Sequence, residues 1–191
     1  MDNSALIKVI EQACLTMQNT SSNTQRQEAE KALQQFRQSA SPYVLALSIL
    51  SHSNIPAAKY QGLAAVKIAL IREWTELQSS DITALLNNLI KYCFETNEKI
   101  PTFVLNQCFH IIALIFKYTW TFSTDDEIKD TLTPQMLQLF TTMTSNKEHL
   151  MNIEKCIKLM IAIIEEFAGR TCSSSGLIWE QHVKCHRSFE L

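Results

Sequence analysis

Glycine and proline are scarce in this chain. Its 191 residues include only 3 glycines and 4 prolines, which is well below the average usage of either residue. Folds built from many short strands need turn residues at short intervals, so this scarcity argues against a β-rich protein. Hydrophobic residues nevertheless make up 46% of the chain, which excludes a disordered segment. The composition therefore predicts long helices joined by few loops.

The chain also lacks an excess of charge of either sign. It has 17 basic and 19 acidic side chains, for a formal net charge of −2. Non-specific affinity for nucleic acid depends on a surplus of Lys and Arg that neutralises phosphates. Attachment to an anionic membrane requires a similar polybasic cluster. We therefore expect neither nucleic acid nor membrane as a partner, and expect the partners to be proteins.

Neither a secretory signal nor a membrane-spanning segment is visible. Residues 1–17 have the apolar spacing of an amphipathic helix, without a basic start or a small-residue cleavage site. The longest apolar stretch, 103–116, contains polar residues and is too short to cross a bilayer. The cysteines stand among apolar neighbours, as is typical of buried free thiols in a reducing compartment. We therefore expect a soluble intracellular protein whose 6 cysteines are unpaired: Cys14, Cys93, Cys108, Cys156, Cys172 and Cys185.

Apolar residues recur at helical spacing along almost the whole chain. Proline is favoured in the first turn of a helix, and Pro42, Pro56 and Pro101 each follow a break in the pattern. Ser39 and Ser41 precede the first of these prolines and are expected to cap the helix that begins there. The predicted helices cover about residues 1–17, 24–37, 42–52, 56–74, 80–95, 102–120, 133–144, 149–167 and 178–191, with a loop at 169–176.

Two kinds of helix alternate. The helices at 42–52, 80–95 and 133–144 are amphipathic, whereas their successors are apolar over much of their circumference and must be covered on several sides. The first helices recur at about 40–50 residues, which is the period of HEAT and armadillo repeats. We predict an all-α fold, an α-solenoid of HEAT-like antiparallel helix pairs, with about four pairs and the start of a fifth in one domain over 1–191. Because no polar capping unit follows, we expect the N-terminal part of a longer solenoid or a truncated product.

A zinc site near the C-terminus is the sharpest chemical hypothesis. Cys172, His182, Cys185 and His186 are the candidate ligands, but only His182 and Cys185 have a spacing that suits one half of a structural site. Cys172 stands alone, and His186 is expected on another face of its helix. The favoured interpretation is a partly buried thiol with solvent-facing imidazoles, and no metal.

Catalytic constellations are missing as well. Cys108 and His110 are two residues apart on one helix and so point away from each other, which prevents a local Cys–His pair. The three glycines are too dispersed to form a phosphate-binding loop. We therefore predict that the chain is not an enzyme and carries no cofactor.

Two segments resemble consecutive repeats of a known family. Residues 27–39 contain an Ala-Glu pair followed by Leu33 and Phe36, which is similar to the first repeat of the importin-β (karyopherin-β) family. Residues 60–74 place small residues before an aliphatic-Lys pair and close with Trp74, similar to the second repeat. The segments 41–43, 71–74 and 164–189 resemble the exportins within that family.

This resemblance implies a nuclear export receptor, or a fragment of one. Its N-terminal module, about 26–95 here, would bind the GTPase Ran in its GTP state together with protein cargo. The receptor would pass nucleoporins in the nuclear pore, shuttle between nucleus and cytoplasm, and release cargo after GTP hydrolysis. By the same resemblance, Lys67 and Arg72 are candidate Ran contacts, Gln27 and Glu30 are further candidates, and Trp74 is expected to pack internally.

Two other hypotheses come from different classes. One is a HEAT-type scaffold or adaptor that works without Ran, since polar side chains on the second helices of each pair suit any protein partner. The other is a small metal-binding or thiol enzyme that uses the cluster from Cys172 to His186. Binding that depends on the nucleotide state of Ran distinguishes the first hypothesis from the export receptor, and metal analysis addresses the second.

Overall fold

A computed structural model of the chain describes residues 3–96, 99–122, 150–168, 177 and 179–189, with isolated positions between 134 and 141. Within these residues all regular structure is helical, which confirms the predicted all-α solenoid class. The helices agree with the predicted bounds to within about two residues. The helix expected at 133–144 and the loop at 169–176 lie largely or wholly outside the described residues. The elements are α1 Asn3–Asn19, α2 Asn23–Arg37, α3 Tyr43–His52, α4 Pro56–Glu73, a 3-10 turn Trp74–Glu76, α5 Ser79–Glu95, α6 Thr102–Phe122, α7 Leu150–Ala168 and α8 Trp179–Phe189.

The chain forms two compact units. The first comprises Met1–Asn88 and Glu98–Gln107, and the second comprises Leu89–Asn97 and Cys108–Leu191. The single domain over 1–191, with its N-terminal module at about 26–95, stays a prediction. None of the described helices is long and apolar enough to cross a membrane.

The first unit contains two helix pairs, together with parts of α5 and α6. Helix α1 packs on α2, α3 packs on α4, and α4 also contacts α2. A three-residue link joins α3 to α4, and Tyr43 at the start of α3 reaches Glu73 at the end of α4, so the pair is antiparallel. Apolar residues spaced three and four apart on each helix meet in one core, as amphipathic helices require. The core contains Ile10, Ala13, Cys14, Ala29, Leu33, Phe36, Ile49, Ala58 and Ala65.

Helices α3 and α4 approach closely where both carry small residues. A Cβ atom built on Gly62 would lie 3.6 Å from the Cα and from the carbonyl oxygen of Ala46. Both positions are buried. Small side chains allow two helix backbones to pack at short range, which is why this glycine and this alanine face each other.

The start of α3 differs from the sequence prediction. The N-cap residue is Pro42, and no side chain caps the helix. The hydroxyl of Ser39 instead donates to the carbonyl oxygen of Phe36 at the end of α2, over 2.7 Å. Ser41 has a φ of 45°, a left-handed conformation that directs its N–H toward Glu73. The expected serine cap was therefore wrong, because these serines close the preceding helix and its loop. The cap at α2 is regular, since the Ser22 hydroxyl accepts from the N–H of Gln25.

The middle of helix α6, which belongs to the second unit, is enclosed on all sides. Every side chain from residue 111 to 118 is buried, which confirms that an apolar helix of this kind is covered by several neighbours. Aromatic contacts join it to both sides: Phe109 to Phe94 on α5, with ring centroids 6.1 Å apart, and Trp120 to Phe167 on α7, at 5.9 Å.

Helix α7 departs from that expectation. It buries Cys156, Leu159, Ile163 and Phe167 along one face. A second apolar face remains about half exposed, although coverage on several sides was predicted. It consists of Ile157, Met160, Ile161 and Ile164. These residues recur at the i, i+3, i+4, i+7 spacing of one helix face, which lies about 100° around the helix axis from the packed side. The expectation was wrong for this face because the neighbouring helices in the described part of the chain cover only the other one.

A buried lysine lies inside the second unit. Lys117 donates to the main-chain oxygen of Glu166 over 2.6 Å and to its carboxylate oxygen Oε1 over 3.2 Å. Only 1% of the Lys117 side chain and 9% of the Glu166 side chain are exposed. A charge in such a place is tolerated only when it is paired. This pair therefore joins α6 to the end of α7.

Candidate partner-binding surface

Two of the four predicted contact residues lie on the open face of α2. Gln27 and Glu30 are exposed, while Ala29, Leu33 and Phe36 fill the core on the other side. Residues three apart share one face of a helix. The pair is therefore accessible to a protein partner.

The other two predicted contacts are both on α4 and do not share a face. Lys67 is half-buried, in line with Tyr60 and Ile71 along the helix. Arg72 follows five residues later, which places it about 140° around the helix axis. The structure thus separates the two cations that the sequence resemblance grouped together.

Arg72 is held by its own chain. Its guanidinium donates to the carbonyl oxygen of Gln38 over 3.3 Å and to that of Ser39 over 2.8 Å, and it also pairs with the carboxylate of Glu73. The side chain is 41% exposed. Arg72 therefore fixes the loop after α2 to the end of α4, and one side of the guanidinium stays in solvent.

Glu73 is the centre of this junction. Its carboxylate accepts from the N–H of Ser41 at 3.3 Å and from the hydroxyl of Tyr43 at 3.2 Å. Burial opposes ionisation, but the hydrogen bonds from Arg72, Ser41 and Tyr43 outweigh it, so the pKa of Glu73 lies below its ordinary value. The pKa of Tyr43 is raised by burial first and then by the negative charge of Glu73. The junction therefore holds an ionised carboxylate.

An exposed aromatic pair was not predicted from the sequence. Tyr60 on α4 and Phe103 on α6 have ring centroids 5.9 Å apart, with ring planes at 54°. Tyr60 is 38% exposed and Phe103 is 50% exposed. Both residues belong to the first unit. The sequence does show that each is an aromatic residue near the start of the second helix of a pair. The contact between the two rings could not be predicted, because it depends on how α4 and α6 pack.

The cysteine and histidine predictions have separate outcomes. Cys14, Cys93, Cys108, Cys156 and Cys185 are free and buried, as expected. Burial, followed by the charge of Glu11, raises the pKa of Cys14 to about 11, although Arg37 opposes the shift. His182 is 2% exposed, so the expected solvent-facing imidazole was wrong at this position. Cys172 and the side chain of His186 lie outside the described residues, among which no group of three or more candidate metal ligands occurs.

Comparison with known proteins identifies similar sequences. The family model described as Exportin-4 matches residues 1–191. The chain is 27% identical over 192 residues to a protein named exportin-4 from Dictyostelium discoideum. That alignment covers 96% of the chain and 17% of the relative. The chain thus spans less than a fifth of the length of the curated relative that it matches.

Proposed function

Since the chain belongs to the exportin-4 family, we propose that it is part of a nuclear export receptor that binds Ran in its GTP state together with protein cargo. The observation that carries this proposal is the family match over residues 1–191. Such a receptor passes the nuclear pore by contacting nucleoporins and shuttles between nucleus and cytoplasm. It acts by binding, without catalysis or a cofactor.

The open faces of α2 and α4 support a protein partner. Gln27 and Glu30 offer exposed hydrogen-bonding groups on α2, and Lys67 offers a cation beside the apolar residues Tyr60 and Ile71 on α4. Polar groups around apolar and aromatic residues are the usual composition of a protein interface. We propose Gln27, Glu30 and Lys67 as contacts for Ran. We propose Arg72 as a contact only through the exposed side of its guanidinium.

Binding of the purified chain to Ran tests the proposal directly. Ran loaded with GTP and Ran loaded with GDP are each titrated against the chain by isothermal calorimetry. We expect preference for the GTP form, with a Kd of about 10 μM, which corresponds to roughly −7 kcal/mol. Equal binding to both forms, or to neither, contradicts Ran-GTP recognition by this chain and favours a scaffold that works without Ran.

A further inference from the structure

We propose that Tyr60 and Phe103 form an anchor site for an acidic, extended segment of a partner protein. In this proposal, an aliphatic side chain of the segment lies on the two rings, and its carboxylates lie near Lys67. The inference goes beyond the export-receptor proposal, because it rests on the chemistry of this surface and does not require Ran.

The first step concerns the rings. Tyr60 and Phe103 come from different helices and meet at 5.9 Å, yet large parts of both, 38% and 50%, remain exposed. Aromatic side chains are enriched at protein interfaces and supply much of their binding energy, because they bury a large area with few rotatable bonds. Two tilted rings in contact present a continuous apolar surface that suits one branched aliphatic side chain.

The second step concerns charge. Helix α4 carries three cations, Lys59, Lys67 and Arg72, and one acid, Glu73. Glu73 is engaged by Ser41, Tyr43 and Arg72. The start of α6, residues 102–107, contains no charged side chain at all. Lys59 is buried and Arg72 lies on another face of the helix, so the accessible charge on the α4 face that carries Tyr60 is the positive charge of Lys67.

Two further features increase this positive potential. Arg37 on α2 donates to the side-chain oxygen of Gln61 over 2.6 Å, which places a guanidinium beside the residue that follows Tyr60. Phe103 lies in the first turn of α6, at the positive end of the helix dipole. Together with Lys67, these groups favour carboxylates over cations on the incoming segment.

The third step concerns spacing. Lys67 is seven residues after Tyr60 on the same face, which is about 10 Å along the helix axis at 1.5 Å per residue. An extended segment advances about 3.3 Å per residue. A carboxylate three residues from the aliphatic anchor therefore reaches Lys67. The favoured segment has an aliphatic residue with acidic residues on both sides, including one three positions away.

Fluorescent peptides of defined sequence test the inference. The probe is Glu-Glu-Leu-Ser-Glu-Glu, labelled with fluorescein and titrated with the full 191-residue chain while anisotropy is followed. Two matched peptides replace the leucine by serine or all the glutamates by lysine. We expect each change to weaken binding at least tenfold. No measurable binding of the acidic leucine peptide, equal binding of all three, or tighter binding of the lysine peptide overturns the proposal.

Variants of the chain locate the site. Tyr60→Ala and Phe103→Ala are each expected to weaken the acidic leucine peptide at least fivefold, and Lys67→Gln about threefold. Val44→Ala is the matched control, because Val44 is an exposed apolar residue on α3, 69% exposed. Unchanged affinity in both aromatic variants overturns the proposal. Circular dichroism confirms folding, and the milder Phe103→Leu, which keeps an apolar side chain, replaces any variant that unfolds. Because no peptide contains Ran, failure here and failure to bind Ran-GTP are distinguishable.

Discussion

Tyr43, at the start of α3, donates its hydroxyl hydrogen to the carboxylate of Glu73 at the end of α4, over 3.2 Å. The two residues are 30 positions apart in sequence and belong to two separate segments that resemble the exportins. The same carboxylate accepts from the N–H of Ser41, and Arg72 holds the carbonyl oxygens of Gln38 and Ser39. These segments are thus in direct contact.

The first prediction concerns the carboxylate at this junction. Glu73→Ala leaves the N–H of Ser41 and the hydroxyl of Tyr43 without their acceptor and removes the ion-pair partner of Arg72. Hydrogen bonds to a charged group contribute more than neutral ones, and we expect a loss of about 2 kcal/mol in the free energy of unfolding at pH 7. Urea denaturation followed by circular dichroism measures it. Glu76→Ala is the control, because Glu76 is exposed in the adjacent 3-10 turn, and a loss of equal size there contradicts the prediction.

Low pH weakens the contribution of Glu73 to the stability of the fold. The pKa of Glu73 in the folded chain is below its ordinary value of 4.5. A carboxyl group with a lowered folded pKa stabilises the fold above its unfolded pKa and loses that contribution as the pH falls through the folded pKa. The stability difference between the native chain and Glu73→Ala is therefore expected to be constant above pH 5.5 or so and to shrink below about 4.5. A difference that grows in acid contradicts the assignment.

The fold was largely predictable because its signals are local. Pro56 begins α4, and helical spacing placed the other described helices to within about two residues. What the sequence did not reveal depends on contacts between distant segments. The position of Ser41 just before Pro42 predicts a helix cap. In the structure its backbone is left-handed instead, and its N–H donates to Glu73, which is 32 residues away. Buried Lys117 shows the same limit, since it pairs with Glu166, which is 49 residues away in sequence.

The second prediction concerns that buried pair. Lys117→Met leaves the carboxylate of Glu166 buried without its cation, and we expect a loss of about 3 kcal/mol in the free energy of unfolding. The double variant Lys117→Met with Glu166→Gln removes both charges and is expected to be at least about 1 kcal/mol more stable than the single one. Thermal and urea denaturation of both proteins measure these differences.

An exposed ion pair provides the control for Lys117. Lys158 and Glu154 lie 2.6 Å apart on α7, and their side chains are 37% and 66% exposed. Solvent screens such a pair, so Lys158→Met is expected to change stability by less than about 0.5 kcal/mol. A double variant no more stable than Lys117→Met alone contradicts the view that the isolated Glu166 charge causes the loss.

The third prediction concerns the close approach of α3 and α4. A Cβ on Gly62 would lie 3.6 Å from the nearest atoms of Ala46, which is an ordinary van der Waals distance. Gly62→Ala therefore fits, and because alanine restricts the unfolded chain it is expected to stabilise the protein by about 0.5–1 kcal/mol. Gly62→Val adds two further methyl groups against Ala46 and is expected to destabilise by about 1–3 kcal/mol. If the melting temperature falls for both substitutions, the space for a Cβ atom between Gly62 and Ala46 is smaller than the 3.6 Å contact distance indicates.

The candidate contacts were less predictable than the fold. Matching residues to a family motif selected Lys67 and Arg72 together, but residues five apart on a helix point in directions about 140° from each other. The motif also gives no indication that Arg72 is engaged by the loop after α2. Phe103 shows the opposite failure, because no motif selected it as a contact. It lies beside Tyr60, 43 positions away in sequence, only because α4 and α6 pack together. Sequence patterns thus identified residue types, and tertiary packing decides which of them a partner can reach.

The fourth prediction separates Lys67 from Arg72. Lys67→Glu is expected to weaken binding to Ran-GTP at least tenfold and to leave the melting temperature within about 2 °C. In the described part of the chain, this charge reversal breaks no hydrogen bond that joins two helices. Arg72→Glu is expected to lower the melting temperature by about 3–6 °C, because it removes the bonds to Gln38 and Ser39 and places a second acid beside Glu73. Calorimetric titration with Ran-GTP and thermal unfolding are measured for each protein.

Lys91→Glu is the matched control for this charge reversal, since Lys91 is exposed on α5. Equal loss of affinity with Lys91→Glu and Lys67→Glu would indicate a general electrostatic effect, because long-range attraction responds to net charge wherever it is changed. A loss confined to Arg72→Glu and proportional to its loss of stability would remove Lys67 from the interface. Unchanged affinity in the double variant Lys67→Glu with Arg72→Glu would exclude both side chains as contacts. The Ran-facing surface would then have to be sought around Gln27 and Glu30, two exposed side chains on α2 that do not hold a loop in place as Arg72 does.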